Sequence, residues 1–123
     1  ILAKAKLSPA MLLRHLKRLE RRAGRRLGVP WGPRPLDLDI IDFRGSIYGW
    51  PVVARHRGRL ILPHPEAHRR AFVLVPLLDV APAWRHPVLG VPGRTLLAGL
   101  GLQRRGVRRI LDSRWFLCQK AGS

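Results

Sequence analysis

Trp31-Gly32-Pro33-Arg34-Pro35-Leu36-Asp37-Leu38-Asp39-Ile40 is the stretch on which the reading of this chain turns. The sequence holds seven acidic residues among 123, and three of them (Asp37, Asp39 and Asp42) fall within six positions. Asp37-Leu38-Asp39-Ile40 alternates polar and apolar, the period of a β-strand with one face in the core. At that period Asp37 and Asp39 project from one face, with side chains roughly 6–7 Å apart. Such a pair forms a poor hydrophobic face and a good cradle for a hard cation such as Mg²⁺. Arg34 places fixed positive charge beside it, and a metal next to arginine suits a polyphosphate substrate. The plainer alternative is that both aspartates line the solvent face of an ordinary antiparallel strand, since D-x-D is short and common.

Working outward, the N-terminal side predicts an amphipathic helix. Ser8-Pro9 combines a hydroxyl cap with proline at the first helical position. Leu12, Leu16, Leu19 and Ala23 recur at 3.6-residue spacing, with Leu13 beside them. Arg14, Lys17, Arg18, Arg21 and Arg22 take the other face, and Gly24 is the expected end. A basic helix face of this kind is most often simply solvated. Between Arg25 and Pro35, three prolines (Pro30, Pro33 and Pro35) rule out regular structure around Trp31.

On the C-terminal side, Leu36 to Phe43 is the expected strand. Arg44-Gly45-Ser46 reads as a turn into a second strand from Ile47, and Trp50 to Gly58 as an irregular basic loop. Arg59-Leu60-Ile61-Leu62 reads as extended and runs into Pro63-His64-Pro65, where two prolines fix the direction of His64. A helical turn with His68, Arg69 and Arg70 follows. Ala71 to Val80 is apolar almost throughout and is expected to be a buried helix that tolerates Pro76, with Phe72, Leu74 and Leu78 in the core. Ala81 to Pro87 reads as a loop, and Arg94 to Leu100 as a last short helix. No pattern ties the Arg-rich tail to the core.

Composition bounds the possibilities. An apolar share of 46% in 123 residues fits one small globular domain with a single core. No apolar run approaches the length of a membrane span. The first seven residues are too short and too charged for a signal peptide. The single Cys118 allows no internal disulfide and suits a reducing cytoplasm. A formal charge of +17 fits nucleic-acid binding, small-polyanion binding, or an arginine-biased genome. The chain has no P-loop, no dinucleotide-binding glycine fingerprint, no zinc-type Cys/His spacing and no internal repeat.

The motifs in series are more specific than any one alone. Trp31-Gly32-Pro33-Arg34-x-Leu36-Asp37-Leu38-Asp39-Ile40 is followed by Leu62-Pro63-His64-Pro65 and then Arg70-x-Phe72-Val73-Leu74-x-Pro76-Leu77. Together they resemble the 6-hydroxymethyl-7,8-dihydropterin pyrophosphokinases of folate biosynthesis. Leu19-Glu20-x-x-x-Gly24-Arg25 and Ala81-Pro82-x-Trp84-x-His86-Pro87 are similar to the same family in order and spacing, so the likeness covers roughly residues 1–100.

The resemblance implies an α+β, ferredoxin-like sandwich of antiparallel sheet and helices. It implies transfer of pyrophosphate from ATP to the pterin hydroxymethyl oxygen, with release of AMP. Two Mg²⁺ ions would be held by Asp37 and Asp39. Arg25 and Arg34 would be loop arginines acting in catalysis, and Trp31 the loop aromatic on the pterin side. Arg59, His64 and Arg70 would contact ATP. The expected partners are ATP and the pterin, on a cytoplasmic monomer with no membrane and no nucleic acid.

The likeness also has departures. Pro30 stands where an arginine is common, Leu27 where another basic residue is common, and Pro65 where tyrosine is frequent. The family's first strand with its Gly-Ser-Asn motif and its first helix have no counterpart here. Residues 1–101 are therefore expected to be the C-terminal part of a pyrophosphokinase domain, N-terminally incomplete and weak or inactive alone. Within it 47–58 is expected to be a loop insertion, and 102–123 a basic tail. The competing readings are a truncated, non-catalytic remnant and a basic nucleic-acid-binding module.

Overall fold

The computed structural model describes residues 1–26, 36–52 and 59–101. Its contacts divide the chain into two compact units, one of Ala5–His64 and the other of Pro65–Ser123 with Ile1–Lys4.

The first unit begins with helix α1, Pro9–Arg26. Ser8 caps it as expected. Its Oγ accepts the Met11 amide at 3.2 Å, satisfying one of the orphan donors of the first turn, and its carbonyl accepts the Leu12 amide at 2.9 Å as the first regular helical bond. Leu12, Leu13, Leu16, Leu19 and Ala23 are partly buried, whereas Arg14, Arg18, Arg21 and Arg22 are exposed. The helix runs two residues past Gly24, the end expected from sequence.

The antiparallel sheet expected from sequence is the main correction. Among the described residues there is no strand, only the isolated antiparallel bridges Tyr48–Leu62 and Arg85–Pro92, and three α-helices with one 3₁₀ turn form the regular structure. A strand exists only through its ladder, and two backbone groups of residues 36–41 that a ladder would use make single, isolated bonds. The Leu38 amide donates to the Glu20 side chain, and the Ile41 carbonyl accepts the His64 amide. The alternation of Asp37-Leu38-Asp39-Ile40 correctly separates exposed from half-buried positions. It carries no information on whether a neighbouring segment lies in register.

After this segment the chain turns at Phe43–Ser46, closed by the Ser46 amide donating to the Phe43 carbonyl at 2.9 Å. Arg44 and Gly45 both have positive φ (53° and 71°). Asp42 supports them by accepting the Gly45 amide on Oδ2 at 3.2 Å. Tyr48 and Leu62 then exchange both backbone hydrogen bonds, at 2.8 and 3.0 Å. Gly49 is confined beside this bridge: a Cβ there would lie 3.0 Å from Ile61 and 3.1 Å from the Leu60 carbonyl oxygen, and its φ is +72°. The Trp50 indole donates to the Pro63 carbonyl at 3.0 Å. The peptide bonds Trp50–Pro51 and Leu62–Pro63 are cis.

The second unit holds a 3₁₀ turn, Ala67–Arg69, helix α2, Ala71–Val80, and helix α3, Gly93–Gly99, which pack on one another. Helix α2 forms despite Pro76 in its interior, as expected. Proline there leaves no N–H to bond four residues back. Ala71 and Leu74 are buried, but Phe72, an expected core residue, is 63% exposed. Its ring lies under the Arg70 guanidinium at 5.7 Å, a cation–π contact made at the surface. Gly93 opens α3 where a side chain has no room, since a Cβ would come within 2.7 Å of Leu78 and 3.0 Å of the Trp84 ring. Of the expected insertion at 47–58, residues 53–58 lie outside the described residues, as does the tail 102–123.

Candidate functional site

Asp37 and Asp39 are exposed, and Leu38 and Ile40 between and after them are half-buried, so the two carboxylates share the solvent side of their segment. Helix α1 is bonded to the backbone between them. Glu20, only 4% exposed, accepts the Leu38 amide on Oε1 at 2.8 Å and the Lys17 ammonium on the same oxygen at 3.2 Å. No role for Glu20 is expected from its place in the sequence. A signal for it existed: four residues after Leu16 and seven after Leu13, Glu20 falls on the apolar face of α1, where a lone acid must find partners.

His64 is the second group brought to the pair. Its amide donates to the Ile41 carbonyl at 2.8 Å, and its Nε2 lies 3.8 Å from Asp39 Oδ2. At 3.8 Å this is a charge contact when the imidazole is protonated, not a hydrogen bond. The His64 side chain is 18% exposed and that of Asp39 48%, so the contact sits at the edge of solvent. Asp42, the third acid of the cluster, holds the adjacent turn through Gly45.

The remaining expected residues are less gathered. Arg59 is exposed. Arg70 belongs to the second unit, where it is exposed, precedes α2 and accepts the Val73 and Leu74 amides on its carbonyl. Arg25 lies within α1, with its side chain outside the described residues. Trp31 and Arg34 also lie outside the described residues.

Among the described residues, no group of three or more His, Cys, Asp or Glu is placed to hold a metal ion. A closed protein cage is therefore not what Asp37 and Asp39 offer. Two exposed carboxylates fit Mg²⁺, which keeps several waters and takes one or two carboxylates together with substrate phosphates. They do not fit a structural zinc site, which wants four nitrogen or sulfur donors.

The second unit contains a different cluster. His86 is fully buried and accepts the Val88 and Leu89 amides on Nδ1, at 3.2 and 3.0 Å. Those two donors assign the lone pair to Nδ1, so the proton of the neutral ring sits on Nε2. Trp84 and His68 pack edge-on to it, with centroids at 5.8 and 5.3 Å. His86 thus organises the turn before α3. Burial, and then the neighbouring Arg69, hold the His68 pKa below its ordinary 6.5, opposed by Glu66. No helix among the described residues is long and apolar enough to cross a membrane.

Residues 1–82 match the sequence profile of the 7,8-dihydro-6-hydroxymethylpterin-pyrophosphokinase (HPPK) family. A Synechocystis protein named 2-amino-4-hydroxy-6-hydroxymethyldihydropteridine pyrophosphokinase is 44% identical over 84 residues, covering 68% of this chain and 40% of that protein. A Mycobacterium tuberculosis protein of the same name is 42% identical over 86 residues, covering 68% of this chain and 46% of its own. The Arabidopsis thaliana "Folate synthesis bifunctional protein, mitochondrial" is 45% identical over 75 residues, which is 61% of this chain and 12% of that longer protein. The chain thus spans less than half the length of these relatives.

Proposed function

The chain belongs to the 7,8-dihydro-6-hydroxymethylpterin-pyrophosphokinase family, and from that premise we propose that it carries the metal- and nucleotide-binding part of a pterin pyrophosphokinase of folate biosynthesis. The reaction is attack of the pterin hydroxymethyl oxygen on the β-phosphorus of ATP. The bond from that phosphorus to the α,β-bridging oxygen breaks, the hydroxyl proton is lost, and the products are AMP and the pterin diphosphate. The observation that carries this reading is the solvent-facing pair Asp37 and Asp39, with the His64 imidazole 3.8 Å from Asp39.

Asp37 and Asp39 would hold Mg²⁺, two ions by family resemblance, against the triphosphate. When bound, the metal supplies neutralisation of the negative charge on the phosphoryl oxygens. The carboxylates fix where the triphosphate lies, and so align the in-line attack; positioning of this kind accounts for much of phosphoryl-transfer catalysis. His64, tethered through its amide, presents its imidazole to the phosphates beside Asp39. Arg59 would add a guanidinium contact on the ATP side, since a planar fork grips phosphate oxygens in pairs, and Arg70 is assigned to ATP by resemblance alone. By resemblance, Arg25 at the end of α1, Arg34 and Trp31 would contact the phosphates and the pterin.

A single-turnover quench with protein in excess over [γ-³²P]ATP, pterin and Mg²⁺ tests the reaction. The proposal predicts that the product, formed slowly by this chain alone, appears as AMP and the labelled pterin diphosphate in equal amounts and is lost in Asp37→Asn. Formation of ADP and a pterin monophosphate would overturn it.

A further inference from the structure

Leu38 lies between the two aspartates, and its amide is bonded to a side chain where a sheet would supply a backbone partner. That side chain is Glu20, 18 positions earlier, on the 18-residue helix α1. Packing alone does not explain an acid there. Glu20 sits on the apolar face of α1 and is 4% exposed, where leucine would fill the space without the desolvation of a carboxylate. What an acid adds is acceptance: the Leu38 amide at 2.8 Å and the Lys17 ammonium at 3.2 Å meet on one oxygen. Around an extended residue, the side chains before and after it point opposite to its own. Fixing the peptide plane at Leu38 therefore fixes the direction of Asp37 and Asp39 together.

We propose that Glu20 is a positioning residue for the carboxylate pair, taking the Leu38 amide that a ladder partner would otherwise accept. Through Lys17 and Leu38, helix α1 becomes the rigid mount of the cation cradle. This inference rests on Asp37 and Asp39 being the Mg²⁺–nucleotide site, and it adds a residue that touches neither metal nor substrate. Outer partners of metal-holding groups are typically worth about 10–100-fold in affinity or activity.

The test compares Glu20→Gln, which keeps a carbonyl acceptor, with Glu20→Leu, which keeps only bulk. Two quantities are read: hydrogen exchange of the Leu38 amide in the free chain, and Mg²⁺ dependence of binding to a non-hydrolysable ATP analogue. In Glu20→Leu, Leu38 protection falls and the apparent Mg²⁺ affinity drops about 10–100-fold, with α1 helicity retained. In Glu20→Gln, protection persists and affinity stays within about fivefold, the difference between a charged and a neutral acceptor. Should Glu20→Leu not fold, Glu20→Asp, one methylene short of Leu38, carries the same comparison. Equal losses in Gln and Leu, or unchanged Mg²⁺ affinity in a folded Glu20→Leu, would overturn the proposal. The exchange reading is made without ligand, so failure of the nucleotide-site reading itself shows separately, as Mg²⁺-independent binding in the parent chain.

Discussion

His64 meets the aspartate segment twice: its amide donates to the Ile41 carbonyl at 2.8 Å, and its Nε2 lies 3.8 Å from Asp39 Oδ2. The backbone tie places the ring beside Asp39. The two contacts are separable, because truncating the side chain leaves the amide in place.

His64→Ala therefore weakens Mg²⁺-dependent nucleotide binding without unfolding the chain. The expected loss is about tenfold to a hundredfold, the worth of one hydrogen bond to a charged group, about 1.5–3 kcal/mol. Titration calorimetry reads the affinity, and a urea melt with an unchanged midpoint shows that the tie to Ile41 survives.

Ser8→Ala removes the acceptor of the Met11 amide at the start of α1. The cost is about 1 kcal/mol, within the range of about 0.5–2 kcal/mol for such caps, and Ser8→Gly costs only a few tenths. Urea unfolding followed by helical circular dichroism gives the comparison. Equal midpoints for the parent and Ser8→Ala would show that the cap contributes nothing.

Gly93→Ala inserts a methyl 2.7 Å from Leu78 Cδ2 and 3.0 Å from the Trp84 ring, with the Trp84 carbonyl oxygen at 3.3 Å. The leucine and the indole both belong to the packing around α3, so relief requires the helix to shift. The expected destabilisation is about 1–3 kcal/mol, typical of overpacking, read as a lowered urea midpoint. Gly90→Ala has open space around its Cβ but a φ of +68°, so its cost is backbone strain with no steric contact.

Acid lowers stability through His68. Its pKa in the folded protein is held below 6.5, first by burial and then by Arg69. The unfolded chain therefore binds this proton more readily than the folded one, and stability rises with pH across that interval. The contribution is complete above the unfolded value near 6.5 and is lost as pH falls through the depressed folded value. His68→Gln flattens this part of the pH–stability curve, which denaturant midpoints between about pH 7 and pH 5 will show.

Features that depend on local chemistry were legible in the sequence. The Ser8-Pro9 start of α1, the turn at His68, helix α2 through Pro76 and helix α3 all follow from capping, periodicity and composition over a few residues. The solvent side of Asp37 and Asp39 was legible for the same reason. The sheet was not, because pairing is a property of two segments, and the alternation at Leu36–Ile40 describes one. Phe72 misled because apolar composition gives no angle of approach, and its helix turns it outward beneath Arg70. Glu20 was missed because a glutamate in a helix ordinarily reads as solvated, and only its register with Leu13 and Leu16 marks it as buried. Asp42 was legible as an acid near the pair but not as the support of a turn, which depends on the positive φ of Arg44 and Gly45.

The central claim, that Asp37 and Asp39 form a metal–nucleotide site, is tested most directly by calorimetric titration of a non-hydrolysable ATP analogue. The titration is run with and without Mg²⁺, into the parent chain and into Asp37→Asn. The account predicts binding that requires Mg²⁺ and is lost in Asp37→Asn. Binding that ignores Mg²⁺, survives the substitution and fades with added salt would contradict it, leaving only the attraction of a chain with a formal charge of +17 for any polyanion.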